Sequence, residues 1–346
     1  MSRICIFGAG SVGCAIGARL AGSGADLLMI GRQRIADEVA AHGLSLSDYR
    51  GSSYHVPAAQ LRFSTSAGDA ADADFVLVTV KSAATTSAAT ELAPVLKPGA
   101  VVISFQNGIG NADLIAQQLP HHLVLSGMVP YNATARGPGE FHQGTEGTLL
   151  VEQHTRLDPI TAEFTRAGIP LQQRDDIVAV QWAKLLLNLN NPINALASLP
   201  LKAQLSQRDY RRCLALAQRE ALSVLDAAGI KPAQLTPLPP HWMPALLSVP
   251  DFIFRRVASS MLKIDPLARS SMLDDLQLGR RTEIDYIHGV IVKLAERQGL
   301  GAPVNARLVA LIRDAENGGR RDWRGAELLA QLSEAALAPQ LKPRRA

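Results

Sequence analysis

The stretch RICIFGAGSVGCAIGARLAGSGADLLMIGR, residues 3–32, decides the fold of the first half of the chain. A short apolar run leads into three glycines with the spacing G-x-G-x-x-G. A helix-compatible segment follows these glycines, and a second apolar run precedes the final arginine. The order is therefore strand, glycine turn, helix and strand, which is the context that a dinucleotide-binding turn requires. An ordinary glycine-rich turn is the alternative, but the position of these glycines in the first strand-to-helix turn of the chain favours a dinucleotide-binding site.

Each glycine of this turn has a predicted role in binding a dinucleotide. Gly8 permits the tight turn, Gly10 lets the backbone approach a pyrophosphate, and Gly13 lets the helix pack closely on the strand. The phosphates are expected at the N-terminus of the helix, where Ser11 and Val12 supply backbone N–H groups. The sequence therefore predicts a cofactor site formed by residues 8–13.

The residues after the second strand indicate which cofactor binds. NAD sites usually carry an acidic residue there, whereas an arginine accommodates the 2′-phosphate of NADP. This chain has IGRQR, with Arg32 and Arg34 and no acid. We therefore expect NADPH, with Arg32 contacting its phosphate; the alternative is that both arginines are solvated surface charges.

Two further strands end in polar residues. DFVLVTVK, residues 74–81, is a nearly continuous apolar run of the kind found in buried parallel strands, and Lys81 follows it. AVVISFQNGIGN, residues 100–111, ends in the same way with Gln106 and Asn107. Because open α/β sheets bind ligands beyond the carboxyl ends of their strands, Lys81 and Asn107 are candidate cofactor contacts. A solvated strand end and a plain turn are the alternatives.

The chain is long enough for two domains. Its 346 residues exceed what one ordinary core holds, and helical periodicity dominates after about residue 175. We predict an α/β fold: a Rossmann-type parallel-sheet domain over residues 1–174 and an all-helical domain over residues 175–340. Residues 122–153 are predicted as a hairpin whose long loop is rich in Gly and Pro. The predicted helices cover 176–198, 206–228, 252–263, 266–297 and 303–315.

Composition excludes several classes of function. The net charge is +4, but the basic residues are scattered and only 5% of residues are aromatic, so a nucleic-acid partner is not expected. No window resembles a membrane span or a signal peptide, which predicts a cytoplasmic protein. The three cysteines show no metal-ligand spacing, so neither a metal site nor a disulfide is expected.

The stretch AKLLLNLNNPINAL, residues 183–196, places polar residues on an apolar helix. At 100° per residue, Lys184, Asn188 and Asn191 fall on one stripe, and Pro192 is expected to kink the helix beside them. The stripe is a candidate substrate site with one cation and two amides. The alternative is that the asparagines bind neighbouring backbone and that Lys184 extends to water.

A second polar cluster occurs in RSSMLDDLQLGRRTEIDYIHG, residues 269–289. Ser270 and Ser271 are expected near the start of a helix, and Glu283 within its later turns. The separation of twelve positions from Ser271 to Glu283 corresponds to a rotation near 120°, so both side chains could border one cavity. A serine cap and solvated carboxylates are the structural alternative.

Taken in order, GAGSVG, VK at 80–81, QNGIGN at 106–111, KLLLN at 184–188 and the motif at 270–289 resemble the ketopantoate reductase family. The resemblance spans nearly the whole chain. It implies NADPH-dependent reduction of a 2-oxo acid to a 2-hydroxy acid. It also implies that Lys184 is the catalytic lysine, Glu283 its acidic partner, and Asn188 and Ser271 substrate ligands. Asn107 and Lys81 border the cofactor and the substrate in this resemblance.

The chain departs from the family pattern near the substrate. Ala268 stands where many members have an asparagine, and Pro192 occupies the place of a second helix asparagine, one position after Asn191. The connection over residues 231–265 is unusually apolar. These departures leave open a different 2-oxo acid or an imine as substrate, and a non-catalytic NADPH-binding regulator is a further alternative. Whether the chain forms a homodimer also stays open.

Overall fold

The computed structural model describes residues 2–257, 265 and 268–337 of the chain. The chain divides into two compact units, the first ending at Val178 and the second beginning at Ala179. The predicted domain end at residue 340 lies outside the described residues, as do parts of the predicted helices over 252–263 and 266–297.

The first unit contains two sheets. Its strands are β1 (Ile4–Phe7), β2 (Leu27–Ile30), β3 (Leu44–Asp48), β4 (Ser53–Val56), β5 (Arg62–Ser64), β6 (Phe75–Val78), β7 (Val101–Ser104), β8 (Leu123–Met128), β9 (Ala133–Gly137), β10 (Glu140–Gln143), β11 (Leu149–Glu152) and β12 (Leu171–Arg174). Among the described residues, the larger sheet has eight strands in the order β12-β11-β8-β7-β6-β1-β2-β5. The strands from β5 to β8 are parallel, and β11 is antiparallel to β8. This is the Rossmann-type sheet that the sequence predicts.

Helices cover both faces of this sheet, which explains its continuous apolar strands. The helices are α1 (Ser11–Gly22), α2 (Gln33–His42), α3 (Thr85–Leu92), α4 (Asn111–Gln118) and α5 (Asp158–Arg166). In β1, Ile4 and Ile6 belong to the core on the side of α1 and α5. Cys5 and Phe7 belong to the core on the side of α3 and α4. Because successive strand residues point to opposite faces, both faces must be apolar when both are covered.

The order of the strands brings three loops together. β1 pairs with β2 on one side and with β6 on the other, and β6 pairs with β7. Phe7 lies opposite Val78, which lies opposite Ser104, so these three strands end at the same edge. The chain continues from β1 to β2 and β5 on one side of β1, and it then crosses to β6 on the other side. Ligands bind at such switch points in open α/β sheets.

The segment predicted as a long Gly/Pro-rich loop is instead part of a second sheet. β9 and β10 form an antiparallel hairpin, and the described residues of this sheet follow the order β4-β3-β10-β9. Gly139, with φ of 67°, makes the turn. His142 lies buried in β10, where its Nδ1 is 2.8 Å from Ser47 Oγ. The histidine therefore has a structural position, as an ordinary strand residue.

The described residues of the second unit form helices and no strand. They are α6 (Ile177–Asn188), which begins at the end of the first unit, α7 (Asn191–Ala197), α8 (Leu201–Leu205), α9 (Arg208–Ala227), α10 (Met243–Ser248), α11 (Asp251–Val257), α12 (Ser271–Gln277), α13 (Ile284–Arg297), α14 (Pro303–Glu316) and α15 (Gly325–Leu337). Among the described residues, none of these helices is both long and apolar enough to cross a membrane.

The apolar connection after α9 is organised by a buried arginine. Arg211, on α9, has no exposed surface, and its guanidinium donates to the carbonyl groups of Leu205, Leu247 and Val249. The guanidinium also stacks on the Phe254 ring, 4.1 Å from its centroid. Full hydrogen bonding is what makes a buried charge tolerable, so Arg211 links α9 to the segment from α10 to α11.

Candidate active site

The glycine turn after β1 is tightly packed against the end of β6. Gly8 has φ of 109°, and a Cβ at this position would lie 2.6 Å from both the backbone N and the Cγ1 of Val80. A Cβ on Gly13 would lie 2.7 Å from Gly8 O and from Thr79 Oγ1. The Thr79 hydroxyl donates to Gly8 O at 2.8 Å. No side chain fits at either glycine, and Thr79 holds the two loops together.

Gly10 differs from these glycines because it faces open space. It is exposed, and the atom nearest to a Cβ built on it is Gly8 O at 3.9 Å. Gly10 is also the N-cap of α1, where no side chain caps the helix and the first turn, which includes Ser11 and Val12, has no acidic residue. The uncapped N–H groups and the positive end of the helix dipole form a site for an anion. A pyrophosphate fits this arrangement.

The two arginines after β2 have different surroundings. Arg34 forms an ion pair with Glu38 on the same turn of α2. Arg32 is the N-cap of α2, is exposed, and makes no ion pair within the described part of the chain. Arg32 is therefore the arginine whose charge is available to a ligand.

A buried polar network supports the loops after β6 and β7. The Asn107 carbonyl accepts hydrogen bonds from Ser82 Oγ and from Asn111 Nδ2, both at 2.8 Å. Further bonds join Gln106 Nε2 to Val80 O at 3.1 Å and to Thr85 Oγ1 at 2.8 Å, and Thr85 Oγ1 to Asn111 Oδ1 at 2.8 Å. Satisfied buried networks rigidify the backbone that they connect. The half-buried Asn107 is therefore part of a fixed loop, and the exposed Lys81 lies in the chain between Val80 and Ser82, which both belong to the network.

In the helical unit, the segment that begins with Lys184 forms two helices. The prediction of one kinked helix over 176–198 is wrong, because α6 ends at Asn188 and α7 begins at Asn191. We call the intervening residues 189–190 the elbow. Pro192 lies in the first turn of α7, where its missing N–H would have no partner in the helix. The proline therefore begins a new helix and does not distort an existing one.

Lys184 and Asn188 are one helical turn apart on α6, and both are half-buried. Burial lowers the pKa of the Lys184 ammonium to about 8 from its ordinary value of 10.5. Withdrawal from water disfavours the charged form of an amine, so this lysine releases its proton more readily than a solvated one. Its surroundings suit a group that gives up a proton near neutral pH.

The four asparagines around this lysine divide into two pairs. Asn190 and Gln204 exchange two amide hydrogen bonds, at 3.0 and 3.1 Å. Asn194 donates to Leu199 O at 2.8 Å and accepts from the Ser270 N–H at 2.9 Å. These two asparagines are structural. The side-chain amides of Asn188 and Asn191 make no hydrogen bond within the described part of the chain, which leaves their donors and acceptors for a ligand.

The second polar cluster also differs from its predicted form. Among the described residues, the continuous helix expected within 266–297 is interrupted after α12, where Gly279 has φ of 63°. Glu283 is half-buried and lies at the N-cap of α13, not within a later helical turn. Ser270 is the N-cap of α12, and its hydroxyl accepts from the Leu273 N–H at 3.2 Å. Ser271 is exposed in the first turn of α12.

Four residues that hold the loops and helices of the site in place were not predicted from the sequence. Two of them, Thr79 and Ser82, lie next to the predicted strand end at Lys81, and this position could have indicated their role. Gln218 and His288 lie in ordinary helical patterns, and their contacts come from distant parts of the chain.

Within the described residues, no group of three or more His, Cys, Asp or Glu side chains could hold a metal ion.

Comparison with known proteins identifies the family. The family described as Ketopantoate reductase PanE/ApbA matches residues 4–156, and its C-terminal counterpart matches residues 176–316. The chain is 30% identical over 327 residues to a 2-dehydropantoate 2-reductase from Archaeoglobus fulgidus, covering 92% of this chain and 99% of that protein. The chain belongs to the ketopantoate reductase family. It is therefore an enzyme, an NAD(P)-dependent oxidoreductase of the 2-oxo acid reductase class.

Solved structures have the same fold as this ketopantoate reductase family member. A PanE/ApbA family ketopantoate reductase from Ralstonia eutropha JMP134 is 30% identical, with a TM-score of 0.77 over 91% of this chain and 99% of that one. A D-mandelate dehydrogenase, solved with NADH and anilino(oxo)acetate, has a TM-score of 0.74 over 91% of this chain and 99% of that one. At 21% identity, the second comparison shows a shared fold only.

Proposed function

We propose that this ketopantoate reductase family member uses NADPH to reduce a 2-oxo acid to a 2-hydroxy acid. The glycine turn, Arg32, Lys81 and Asn107 bind the cofactor in the proposal, and Asn107 also contacts the substrate. The helical unit supplies Lys184 and the remaining substrate ligands. The observation that carries the proposal is the half-buried Lys184, one turn from an asparagine whose amide is not used by the protein.

The proposed chemistry follows from the charge that reduction creates. When bound, NADPH would supply the hydride for the ketone carbon, and negative charge would then develop on the carbonyl oxygen. The Lys184 ammonium stabilises that charge and donates a proton to the oxygen, so the product is a neutral hydroxyl group. Its lowered pKa of about 8 makes this donation easier near neutral pH than for an ordinary lysine.

The remaining ligands complete the proposed substrate site. Asn188 and Asn191 have amides that can bind substrate oxygens without adding a competing charge. Ser271 is exposed and can donate its hydroxyl hydrogen to the substrate carboxylate. Glu283, at the start of α13, either accepts a hydrogen bond from a substrate hydroxyl or orients the Lys184 ammonium.

The substrate is proposed to have a bulkier or more apolar side chain than ketopantoate. Ala268 replaces a polar residue of the family pattern, and the connection that follows α9 carries exposed Trp242 and Phe252, at 66% and 74% exposure. A panel of 2-oxo acids with linear, branched and aromatic side chains, ketopantoate among them, tests this idea by nicotinamide absorbance. The highest kcat/KM for ketopantoate itself would refute the substrate preference and leave the reaction class intact.

Substitution of Lys184 tests the catalytic assignment. Lys184→Ala should lower kcat on the best panel substrate by about 10² to 10⁴, because the charge and the proton are both removed. The dissociation constant for NADPH should stay nearly unchanged, and Glu283→Ala should affect both kcat and KM. Lys202→Ala is the matched control, since Lys202 is an exposed lysine on α8 of the same unit.

Two outcomes would contradict the proposal in different ways. Turnover by Lys184→Ala equal to that of the Lys202 variant would remove Lys184 from the mechanism. Tight NADPH binding with no turnover of any 2-oxo acid in the panel would contradict the proposed substrate class. The cytoplasmic location stays a prediction from the sequence.

A further inference from the structure

The elbow between α6 and α7 leaves backbone carbonyl groups without helical partners. In a continuous helix, Leu186 O would accept from the N–H of Asn190, but that N–H donates to Leu187 O instead, at 3.3 Å. Leu189 precedes the first hydrogen bond of α7, which runs from the Asn194 N–H to Asn190 O. Buried carbonyl groups need other donors when a helix is interrupted.

Two buried side chains from other helices supply these donors. Gln218, on α9, donates from Nε2 to Leu186 O at 3.1 Å. His288, on α13, lies with Nε2 3.3 Å from Leu189 O. Because a carbonyl group only accepts, the Nε2 of His288 must carry the hydrogen. Gln218 is 3% exposed and His288 has no exposed surface, so water cannot replace either donor.

These contacts involve the helices that carry or follow residues of the proposed active site. Gln218 binds the carbonyl group of Leu186 in the last turn of α6, and α6 is the helix that carries Lys184 and Asn188. His288 is five residues after Glu283 on the same helix, so its bond to the elbow connects the helix that starts at Glu283 to the one that carries Lys184. The His288 contact therefore ties the elbow to the helix that follows the proposed acidic partner, and the Gln218 contact fixes the end of the helix that carries the proposed proton donor.

We propose that Gln218 and His288 are positioning residues for the reductase, because they hold the two carbonyl groups freed at the elbow. The inference rests on the proposed function, since it takes Lys184 and Glu283 as the groups to be positioned. Neither Gln218 nor His288 touches the reacting atoms. A displacement of about 1 Å can cost a factor of about 100 in rate, so small movements of the elbow are sufficient to affect catalysis.

The test compares variants that remove or keep the donor. His288→Leu removes it, whereas His288→Gln can place an amide N–H near the position of Nε2. We expect kcat to fall at least tenfold in His288→Leu, KM for the 2-oxo acid to rise, and His288→Gln to recover most of the loss. KM for NADPH should change less than twofold. Gln218→Met is the corresponding test at the other carbonyl group.

A pH profile separates positioning from a general loss of stability. If the elbow relaxes, the Lys184 side chain gains contact with solvent, and the decrease of kcat/KM at alkaline pH should occur at a higher pH than in the native enzyme. Tyr210→Phe is the control, because it removes one buried hydrogen bond, to Trp323 O at 2.8 Å, and neither elbow carbonyl. Its melting temperature should fall as in His288→Leu, with kcat and the pH profile unchanged.

The result that overturns this inference differs from the one that overturns the proposed function. If Lys184→Ala is inactive but His288→Leu and Gln218→Met keep native kcat, KM and pH profile, the positioning role is wrong and the catalytic lysine stands. If neither variant folds, the contacts of His288 and Gln218 with the two carbonyl groups serve stability alone, and the positioning role is wrong. Native turnover by Lys184→Ala would overturn the proposed function instead.

Discussion

At the scale of single residues, the chemistry depends on how much water each charged group keeps. The Lys184 ammonium loses part of its hydration on α6, and its pKa falls to about 8. Arg32 stays exposed, and its charge is available because the neighbouring Arg34 is paired with Glu38. In the proposed function, the same type of charge is therefore used in two ways, as a proton donor where it is half-buried and as an anion ligand where it is solvated.

The lowered pKa of Lys184 predicts how the reduction rate depends on pH. The proton donor is present below about pH 8 and is lost above it, so kcat/KM for reduction should fall about tenfold per pH unit beyond pH 8. The rate of the reverse reaction, oxidation of the 2-hydroxy acid, should rise as the pH increases through the same range. In Lys184→Arg the guanidinium stays charged, and the decrease of kcat/KM above about pH 8 should disappear. A flat profile from pH 7 to 10 in the native enzyme would contradict the role of Lys184 as an acid.

Arg32 predicts the cofactor preference. A hydrogen bond to a charged group contributes about 1.5–3 kcal/mol, so NADPH should bind at least about tenfold more tightly than NADH. Arg32→Ala should narrow this difference. Arg34→Ala is the matched control and should preserve the preference, because Arg34 is already paired with Glu38. Equal dissociation constants for NADPH and NADH in the native protein, measured by titration, would refute the assignment.

At the scale of elements, turns and helix ends place the functional groups. The glycine turn connects β1 to α1 and presses against the end of β6, while the elbow turns the chain from α6 to α7. At the glycine turn, the positive φ and the close approach of Val80 require the absence of a side chain at Gly8. At the elbow, the carbonyl groups without helical partners are met by side chains from distant segments. In each unit, the position of the proposed functional groups therefore depends on one of these junctions.

Two glycines of the same turn should respond differently to substitution by alanine. Gly8→Ala should reduce the free energy of unfolding by more than about 2 kcal/mol, because φ is 109° and the added Cβ would meet Val80 at 2.6 Å. Gly10→Ala should change it by less than about 0.5 kcal/mol, since the nearest atom is at 3.9 Å, yet weaken NADPH binding at least tenfold. Urea denaturation and cofactor titration of both variants test this contrast. Native NADPH affinity in Gly10→Ala would exclude close approach of the phosphates.

At the scale of the whole molecule, the buried histidine of α13 makes the stability of the helical unit depend on pH. Burial lowers the pKa of His288 to about 4, with the Asn305 side chain and the Leu189 carbonyl offsetting part of the effect. In the unfolded chain its pKa should be near 6.5. The unfolded state therefore binds more protons between pH 6.5 and pH 4, and acid favours unfolding in that window.

The expected effect is a loss of about 3 kcal/mol in the free energy of unfolding between pH 6.5 and pH 4. All three tryptophans of the chain, at 182, 242 and 323, lie in the helical unit, so their fluorescence in urea reports on that unit. His288→Gln, which does not titrate, should lack this part of the pH dependence, and the difference between the two proteins isolates it from the carboxylates. Parallel curves for the two proteins would show that His288 is not buried as a neutral group.

The amino-acid sequence alone determined the class of fold and predicted the first contacts of the cofactor. Continuous apolar strands, a glycine turn and the change to helical periodicity are local patterns, and each depends on residues that are close in the chain. The same is true of Arg32 after the second strand. Lys184 stood out because a cation and amides on an apolar helix have no role in helix stability. The family resemblance then gave these residues an expected chemistry, which is a prediction until the variants are measured.

Only the tertiary structure decided which polar residues support the site and which are free to bind. Asn190 and Asn194 look like Asn188 and Asn191 in the sequence, but their amides are used by Gln204, Leu199 and Ser270. The interruption at the elbow, the second sheet and the separate start of α13 at Glu283 likewise follow from contacts between distant segments. His288 and Leu189 are 99 residues apart, and no local pattern specifies that the imidazole will meet that carbonyl group. Hydrogen bonding of buried backbone is a requirement of the folded chain as a whole, so its partners are known only when the helices have packed.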